Sequence, residues 1–535
     1  MLKRKGMLAK VKSGALLGVD AVTVDVEVDM SMGLPFFNVV GLPEGAVKES
    51  KVRVVSALKN SGFILPQKRI TVNLAPADIR KEGAAFELPI ALGVLVASNL
   101  LKPEPLKDYL FGGELSLDGN VRAIRGVLPL ALAARDGGFK GVIVPLQNAQ
   151  EAALVDRIEV IPVAHLKQAV AHLTGETLIT PFDRITGLSG STWLDSGLDL
   201  KDVRGQEDIK DALELAAAGG HNMLMCGPPG SGKTMIARRL PSILPPMQME
   251  ESLEVTKIYS VLGLLKDGES LIQVRPFRAP HHTISDAGLV GGGPLARPGE
   301  LSMAHRGVLF LDELPEFRKH VLEVLRQPLE EGYVRLARAA QKVTYPCQVM
   351  LVAAMNPCPC GYWKTTRKCT CSEVTGRAYH ARVSGPLLDR IDITLDTRTV
   401  ETKHFIGERT GKPSSWYRDR VIEARNRQLA RFKDDPTVLC NAQMTPRWLH
   451  QVCRISTKAQ QTLVDQISLH GLSARAHDRI LKLARTRADL EGREHISDED
   501  VFVATECRKV DRKDYLVKPG DTPEEFEKTI GGGKP

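Results

Sequence analysis

The sequence predicts a multidomain α/β protein with a helical C-terminal region, on three observations. The apolar run Asn222-Met223-Leu224-Met225-Cys226 leads into Gly227-Pro228-Pro229-Gly230-Ser231-Gly232-Lys233-Thr234, and the helix-like run Met235–Leu240 follows. Strand, glycine-rich loop and helix in that order begin a βα unit, the building block of a parallel sheet. Far upstream, Val22–Val28 alternates apolar and polar residues, the period of a half-buried strand. Beyond residue 400, apolar residues recur at helical spacing among many arginines.

The elements fall into place along the chain. Residues 1–180 read as one α/β domain. Val22–Val28 and Arg69–Leu74 are strands, Leu88–Leu101 and Val127–Ala134 are helices, and Gly141–Pro145 is a short buried strand. Residues 181–200 are rich in Gly, Ser, Thr and Asp without periodicity, which predicts a linker. Residues 201–400 form a nucleotide-binding α/β core. Residues 401–513 are helical, with Glu423–Arg431 and Ala474–Leu490 the clearest helices. Residues 514–535, with Lys518-Pro519-Gly520 and a closing glycine run, read as a disordered tail.

A chain of 535 residues has room for about three domains. No apolar, uncharged run approaches the ~18 residues of a membrane span. The basic start Met1–Gly6 is followed by no apolar signal core, so a cytoplasmic location is expected. The nine cysteines are then reduced thiols or metal ligands. A formal net charge of +8 permits a nucleic-acid partner without demanding one.

The run Gly227–Thr234 fits the phosphate-binding pattern G-x-x-x-x-G-K-[ST]. Glycines let backbone N–H groups crowd round phosphate oxygens, Lys233 can reach the β and γ phosphates, and Thr234 can ligate Mg²⁺. ATP or GTP is the expected ligand. Val308-Leu309-Phe310-Leu311 is a second buried run and ends in Asp312-Glu313. Asp312 suits a hold on Mg²⁺, and Glu313 suits polarising a water. A third run, Val349–Ala354, delivers Asn356 to the same sheet edge, where parallel sheets bind ligands.

This set resembles the AAA+ ATPases. Gly205 and Gln206, within Asp202-Val203-Arg204-Gly205-Gln206, look like the box bordering the adenine. Asn356 matches sensor 1. Ser384–Asp392 resembles the arginine-finger segment of the magnesium-chelatase clade, which implies that Arg390 reaches a neighbouring subunit's ATP. Its plainer role is an ion pair with Asp389 or Asp392. Leu472-Ser473-Ala474-Arg475 resembles sensor 2, with Arg475 on the γ phosphate. Arg278–Ser285, Gly291-Gly292-Gly293, Pro298–Gly307 and Asn356-Pro357-Cys358-Pro359-Cys360-Gly361 narrow the resemblance to the YifB/ComM branch of the magnesium-chelatase-like family. That resemblance covers nearly the whole chain. It implies a ring, expected as a hexamer, and a branch-migration helicase acting in natural transformation. His281 and His282 are expected in a loop insert, because with Asp286 and His305 they fit no standard metal spacing.

Two further constellations stand out. Gly332–Tyr345 has two β-like arms around a small-residue tip; related motors place a pore-facing hairpin here. Arg335, Arg338 and Lys342 then meet DNA phosphates, or else line a solvated surface. Cys358, Cys360, Cys369 and Cys371 form C-x-C, eight residues, C-x-C. Structural zinc, reduced thiols and a redox pair are all compatible with that spacing. The first domain resembles the Lon-protease-like fold (the ribosomal S5 domain 2 type). Ala85 and Leu130 stand where the serine and lysine of such a protease would be, so peptidase chemistry is not expected.

The expected function is an ATP-driven oligomeric DNA motor, using ATP and Mg²⁺. A metal-chelatase motor subunit and an ATP-dependent protein-remodelling scaffold are the rival readings.

Overall fold

The computed structural model describes residues 8–43, 45–184, 197–266, 268–293, 296–338, 341–363, 368–397, 411–435, 437–470 and 474–508. The expected tail at 514–535 lies outside them. Among the described residues no helix is long and apolar enough to cross a membrane.

The N-terminal part is built on a seven-stranded mixed sheet. Its strands are β1 (Ala9–Leu17), β2 (Asp20–Ser31), β3 (Phe36–Val40), β4 (Arg69–Ala75), β5 (Tyr109–Phe111), β6 (Gly141–Pro145) and β7 (Glu159–Val163), in the order β3-β4-β2-β1-β5-β6-β7. Alternation sets the faces: Val24, Val26 and Val28 are fully buried, and the polar residues between them are not. Helices α1 (Gly45–Asn60), α2 (Glu87–Ala97) and α3 (Val127–Asp136) pack against the sheet or each other. Helix α2 is buried along its whole length. It stops at Ala97, short of the expected Leu101, because Ser98 caps it and Asn99 turns left-handed at φ 62°. Helix α3 runs two residues past Ala134 and ends at Gly137.

The central part is a five-stranded, wholly parallel sheet. Strands β8 (Met223–Cys226), β9 (Phe277–Arg278), β10 (Val308–Leu311), β13 (Met350–Met355) and β14 (Ile393–Asp396) lie in the order β9-β10-β13-β8-β14. Strands β11 (Tyr333–Arg338) and β12 (Gln341–Pro346) form a separate antiparallel hairpin between β10 and β13 in the chain. Helix α4 (Glu207–Gly219) precedes β8, and the short helix α5 (Lys233–Ala237) follows it. Helix α6 (Met249–Leu262) starts at a capping box made by Gln248 and Glu251. After β14 come α7 (Ser414–Arg431), α8 (Thr457–His470), α9 (Ala474–Leu490) and α10 (Asp498–Glu506), with a short helical segment, Pro446–Val452, between α7 and α8. On α9, Ile480, Leu483, Ala484 and Ala488 recur at helical spacing and are buried in one core with α4, β8 and α7.

The two sheets are joined by contacts that no local motif announces. Ser260 on α6 donates its hydroxyl to the buried Glu151, which also accepts from the Leu128 N–H at 2.8 Å. Burial pushes the Glu151 carboxyl above its ordinary value, and these donors oppose the rise. The Gly126 N–H donates to the Ser260 carbonyl at 3.1 Å, and Lys257 pairs with Asp20 at 3.0 Å. In the turn between β1 and β2, Leu17 and Val19 pack on the cluster that holds Val334, Val343 and Tyr345 of the hairpin.

Candidate functional site

The site sits at the carboxyl ends of β8, β10 and β13, where loops leave the parallel sheet. Strand β8 is buried throughout and carries the loop Gly227–Thr234 straight into α5. The loop needs its glycines. A Cβ on Gly227 would lie 2.0 Å from Thr397 Oγ1, and Gly232 holds φ at +86°. The Ser231 hydroxyl meets the Thr397 hydroxyl at 2.8 Å, and Gln206 donates to the Ser231 carbonyl at 2.9 Å. Gly205 and Gln206 both take left-handed backbone, with φ of 62° and 58°. Pro229 and Gly230 form the exposed bend that follows the buried Pro228, with Gly230 at φ 79°.

Lys233 is folded into the loop. Its amine donates to the Gly227 carbonyl at 2.7 Å and the Pro228 carbonyl at 2.9 Å, and lies 3.3 Å from Asn356 Oδ1. Burial lowers its pKa, and the nearby Asp312 and Glu313 oppose that fall. Thr234 donates its hydroxyl to Asp312 Oδ2 at 2.6 Å. The two residues expected on Mg²⁺ therefore share one hydrogen bond, seventy-eight positions apart in the chain. Glu313 is left-handed at φ 52°, and its N–H binds Asp312 Oδ1 at 2.9 Å. That bend turns the Glu313 side chain outward, where it is 57% exposed.

His282 was not assigned to the site by sequence, yet its Nδ1 lies 3.5 Å from the Glu313 carboxylate. Its ring centroid is 4.1 Å from that of His281. Only the position of Arg278-Ala279-Pro280-His281-His282 just after a strand of the same sheet could have signalled this. His305 is elsewhere: it is buried, bonded to Glu254 at 3.1 Å and to the Gln348 N–H at 3.0 Å.

Arg390 lies at the other end of the sheet. Its carbonyl accepts from Asn222, which immediately precedes β8, while the phosphate loop follows β8. Four residues of strand separate the two ends by about 13 Å. The guanidinium pairs with neither Asp389 nor Asp392 in the bonds described. It donates to the Pro386 carbonyl at 2.8 Å and ion-pairs with Glu330. Arg475 is in the first turn of α9, and its side chain lies outside the described residues.

The hairpin alternates cleanly. Val334, Val343 and Tyr345 are buried, and Arg335 and Lys342 are exposed. Register puts Arg335 opposite Thr344 and Ala337 opposite Lys342, so both cations belong to the exposed face. The Arg335 guanidinium stacks 4.6 Å from the Tyr333 ring centroid. The side chain of Arg338 lies outside the described residues.

The four cysteines of the C-x-C pairs converge. Cys358 and Cys360 sulfurs are 3.3 Å apart, Cys358 and Cys369 3.7 Å, and Cys360 and Cys369 3.4 Å. Cys371 completes a set whose ligand atoms all lie within 4.8 Å. Four thiolates at ~2.3 Å from one zinc are about 3.8 Å apart, so the donor set fits a tetrahedral ion. Gly361, next to Cys360, packs against the phosphate loop: a Cβ on it would lie 2.5 Å from Pro229 Cδ.

In the N-terminal part, Ala85 is half-buried and Leu130 is packed into the core. Neither side chain can attack or move a proton.

Three family models match: "Magnesium chelatase, subunit ChlI" over residues 199–405, "Subunit ChlI of Mg-chelatase" over 26–148, and "Magnesium chelatase, subunit ChlI C-terminal" over 411–508. The chain is 43% identical to competence protein ComM of Haemophilus influenzae, across 91% of this chain and 95% of that protein. It is 42% identical to protein YifB of Salmonella typhimurium, across 94% of this chain and 98% of that protein. A more distant similarity, 27% identity across 29% of this chain and 49% of the relative, is to the magnesium-chelatase 38 kDa subunit of Rhodobacter capsulatus.

Proposed function

We propose, from the premise that this chain belongs to the YifB/ComM family of magnesium-chelatase-like AAA+ proteins, that it is a ring-forming DNA motor driven by ATP. Family membership supports an ATPase. Backbone N–H groups of Gly227–Thr234 bind the phosphates, and Lys233 exchanges its carbonyl partners for phosphate oxygens. Thr234 and Asp312 hold Mg²⁺, which neutralises charge on the phosphates when bound. Glu313 polarises the attacking water, and Asn356 orients it. Gly205 and Gln206 border the base. Arg475 reaches the γ phosphate from the helical lid formed by 401–513.

The ring rests on Arg390. It stands about 13 Å from its own phosphate loop, farther than an arginine side chain extends, and so is placed to serve a neighbour's ATP. A hexamer is the assembly proposed. The DNA reading rests on one observation: a hairpin with exposed Arg335 and Lys342 is inserted between the strands that carry Asp312 and Asn356. Movement at the nucleotide can then reach cations suited to a phosphate backbone. The competence relative favours branch migration of recombination intermediates during natural transformation. The N-terminal part, 1–180, is read as a Lon-protease-like domain without peptidase chemistry, joined through the linker 181–200 to the core 201–400. Cys358, Cys360, Cys369 and Cys371 would hold a structural zinc that pins the loop after Asn356.

The test is ATP hydrolysis with and without four-way DNA. Stimulation by DNA is expected in the wild type and is lost in Arg335→Glu/Lys342→Glu, whose salt dependence of DNA binding becomes shallower. No stimulation, and no binding to forked or four-way DNA, would favour the second reading, a chelatase-type motor subunit. That reading draws on the chelatase relative. ATP-dependent remodelling of a protein is the third.

A further inference from the structure

Among the described residues the N-terminal sheet meets the ATPase core beside Asp20, Leu17 and Val19, and the opposite end of strand β2 leads into an exposed tip. Strand β2 begins at Asp20, beside Lys257 and the hairpin, and ends at Ser31. Its twelve residues span about 40 Å. At the far end Ser31 pairs with Arg69, and Arg69 pairs with Phe36. The loop 32–35 and the Lys68 end of the loop 61–68 therefore meet the sheet side by side.

Those loops present apolar side chains to water. Met32 is 94% exposed, Leu34 88% and Ile64 89%. Cations stand beside Phe36, which follows Leu34 by two residues. Lys51 Nζ lies 5.8 Å and the Arg69 guanidinium 5.7 Å from the centroid of the half-exposed Phe36 ring, and Lys68 is exposed next to Arg69. Met32 and Leu34 stand two residues apart in one short loop, just before the half-exposed Phe36; solvating such side chains together is costly, and such patches mark contact surfaces. The occupant follows from the charges. A purely apolar partner would leave Lys51, Lys68 and Arg69 without counter-ions. A second copy of the same tip would oppose like charges. A nucleic acid offers phosphates to the cations and a base-pair face to the apolar groups.

We propose that this tip engages the fork of a branched nucleic acid, with Met32 and Leu34 against the terminal base pair and Lys68 and Arg69 on the flanking phosphates. The proposal rests on the DNA-motor reading above and gives it a second contact, distant from the hairpin.

The experiment uses the full-length chain and forked DNA carrying 2-aminopurine at the last base pair, beside single-stranded DNA of equal length. The variants are Met32→Ser/Leu34→Ser and Lys68→Glu/Arg69→Glu. The wild type is expected to raise 2-aminopurine fluorescence. The serine variant is expected to lose that rise and about tenfold of the preference for fork over single strand, the equivalent of about 1.4 kcal/mol. Its basal hydrolysis and single-strand stimulation stay at wild-type levels. The charge variant binds the fork more weakly and with a smaller salt slope. An unchanged fluorescence rise and fork preference overturns the proposal. So does loss of ring assembly with fork preference kept, which assigns the tip to contact between subunits. A wild type indifferent to every DNA overturns the motor reading itself, and the tip proposal with it.

Discussion

Asp392 shows how one carboxylate ties the candidate finger to the rest of the core. It follows Arg390 by two residues, accepts from the Asn222 N–H at 3.2 Å and from Arg479 of α9 at 3.0 Å, and lies 3.4 Å from His221. Burial alone would raise its pKa; His221, Arg479 and Arg508 instead hold it down to about 2. A depressed carboxylate stabilises the fold fully above its ordinary pKa and loses that contribution as pH falls through the folded value. The difference from 3.8 to about 2 corresponds to roughly 2 kcal/mol. Asp392→Asn should be less stable than wild type at pH 7 by about that amount or more, because it leaves the Arg479 and Arg508 guanidinium groups facing a neutral group. Urea denaturation should show the gap narrowing between pH 4 and pH 2. A gap that stays constant over that range would remove Asp392 from this role.

At the scale of elements, the hairpin is more than a surface feature. Its buried face rests on the turn joining β1 and β2. Gly18 holds φ at +68° there, and a Cβ on it would lie 2.7 Å from Val343 Cγ1. Gly18→Ala adds left-handed strain of about 1–2 kcal/mol. It should lower Tm and speed amide hydrogen exchange in Tyr333–Pro346, while leaving ATP affinity close to wild type. Equal exchange in the two proteins would show that the hairpin stands without this support. The same comparison separates what the sequence made legible from what it hid. The phosphate loop, the Asp312-Glu313 strand end and helix Ala474–Leu490 each lie in one contiguous stretch whose pattern follows from its own residues. The bond from Ser260 to Glu151, the seat of the hairpin on Leu17 and Val19, and the pairing of Arg390 with Glu330 join segments 60 to more than 300 positions apart. Nothing in the local composition encodes those meetings. His282 falls between the two cases: its motif was visible, but its approach to Glu313 needed the order of strands β9 and β10.

For the whole molecule, the proposed service of Arg390 to a neighbour's ATP would make assembly the unit of activity. Lys233→Ala chains should bind ATP poorly and not turn over. Arg390→Ala chains should bind ATP normally and fail at hydrolysis. Mixing wild-type and Arg390→Ala chains should lower hydrolysis in proportion to the mutant share if sites fire independently, and more steeply if they fire in sequence. Unimpaired hydrolysis by Arg390→Ala alone would return that arginine to a structural role with Glu330. Elemental analysis should find about one zinc per chain. Its removal by a chelator should lower Tm and weaken ATP binding, since Gly361 rests on Pro229. Metal-free protein with an unchanged Tm would leave the four sulfurs as reduced thiols.

The joint between the two sheets bears on how the protein can be taken apart. The stretch near residue 190 looks like a natural place to cut. Yet separating the pieces would strip cover from Val343 and Tyr345 on one side and from Leu17 and Val19 on the other, and would strand the buried Glu151 without its hydroxyl donor. An isolated motor fragment would be a sticky, loosened relative of the parent rather than its engine. Differences between fragment and full-length chain would then measure that damage before they measured any division of labour.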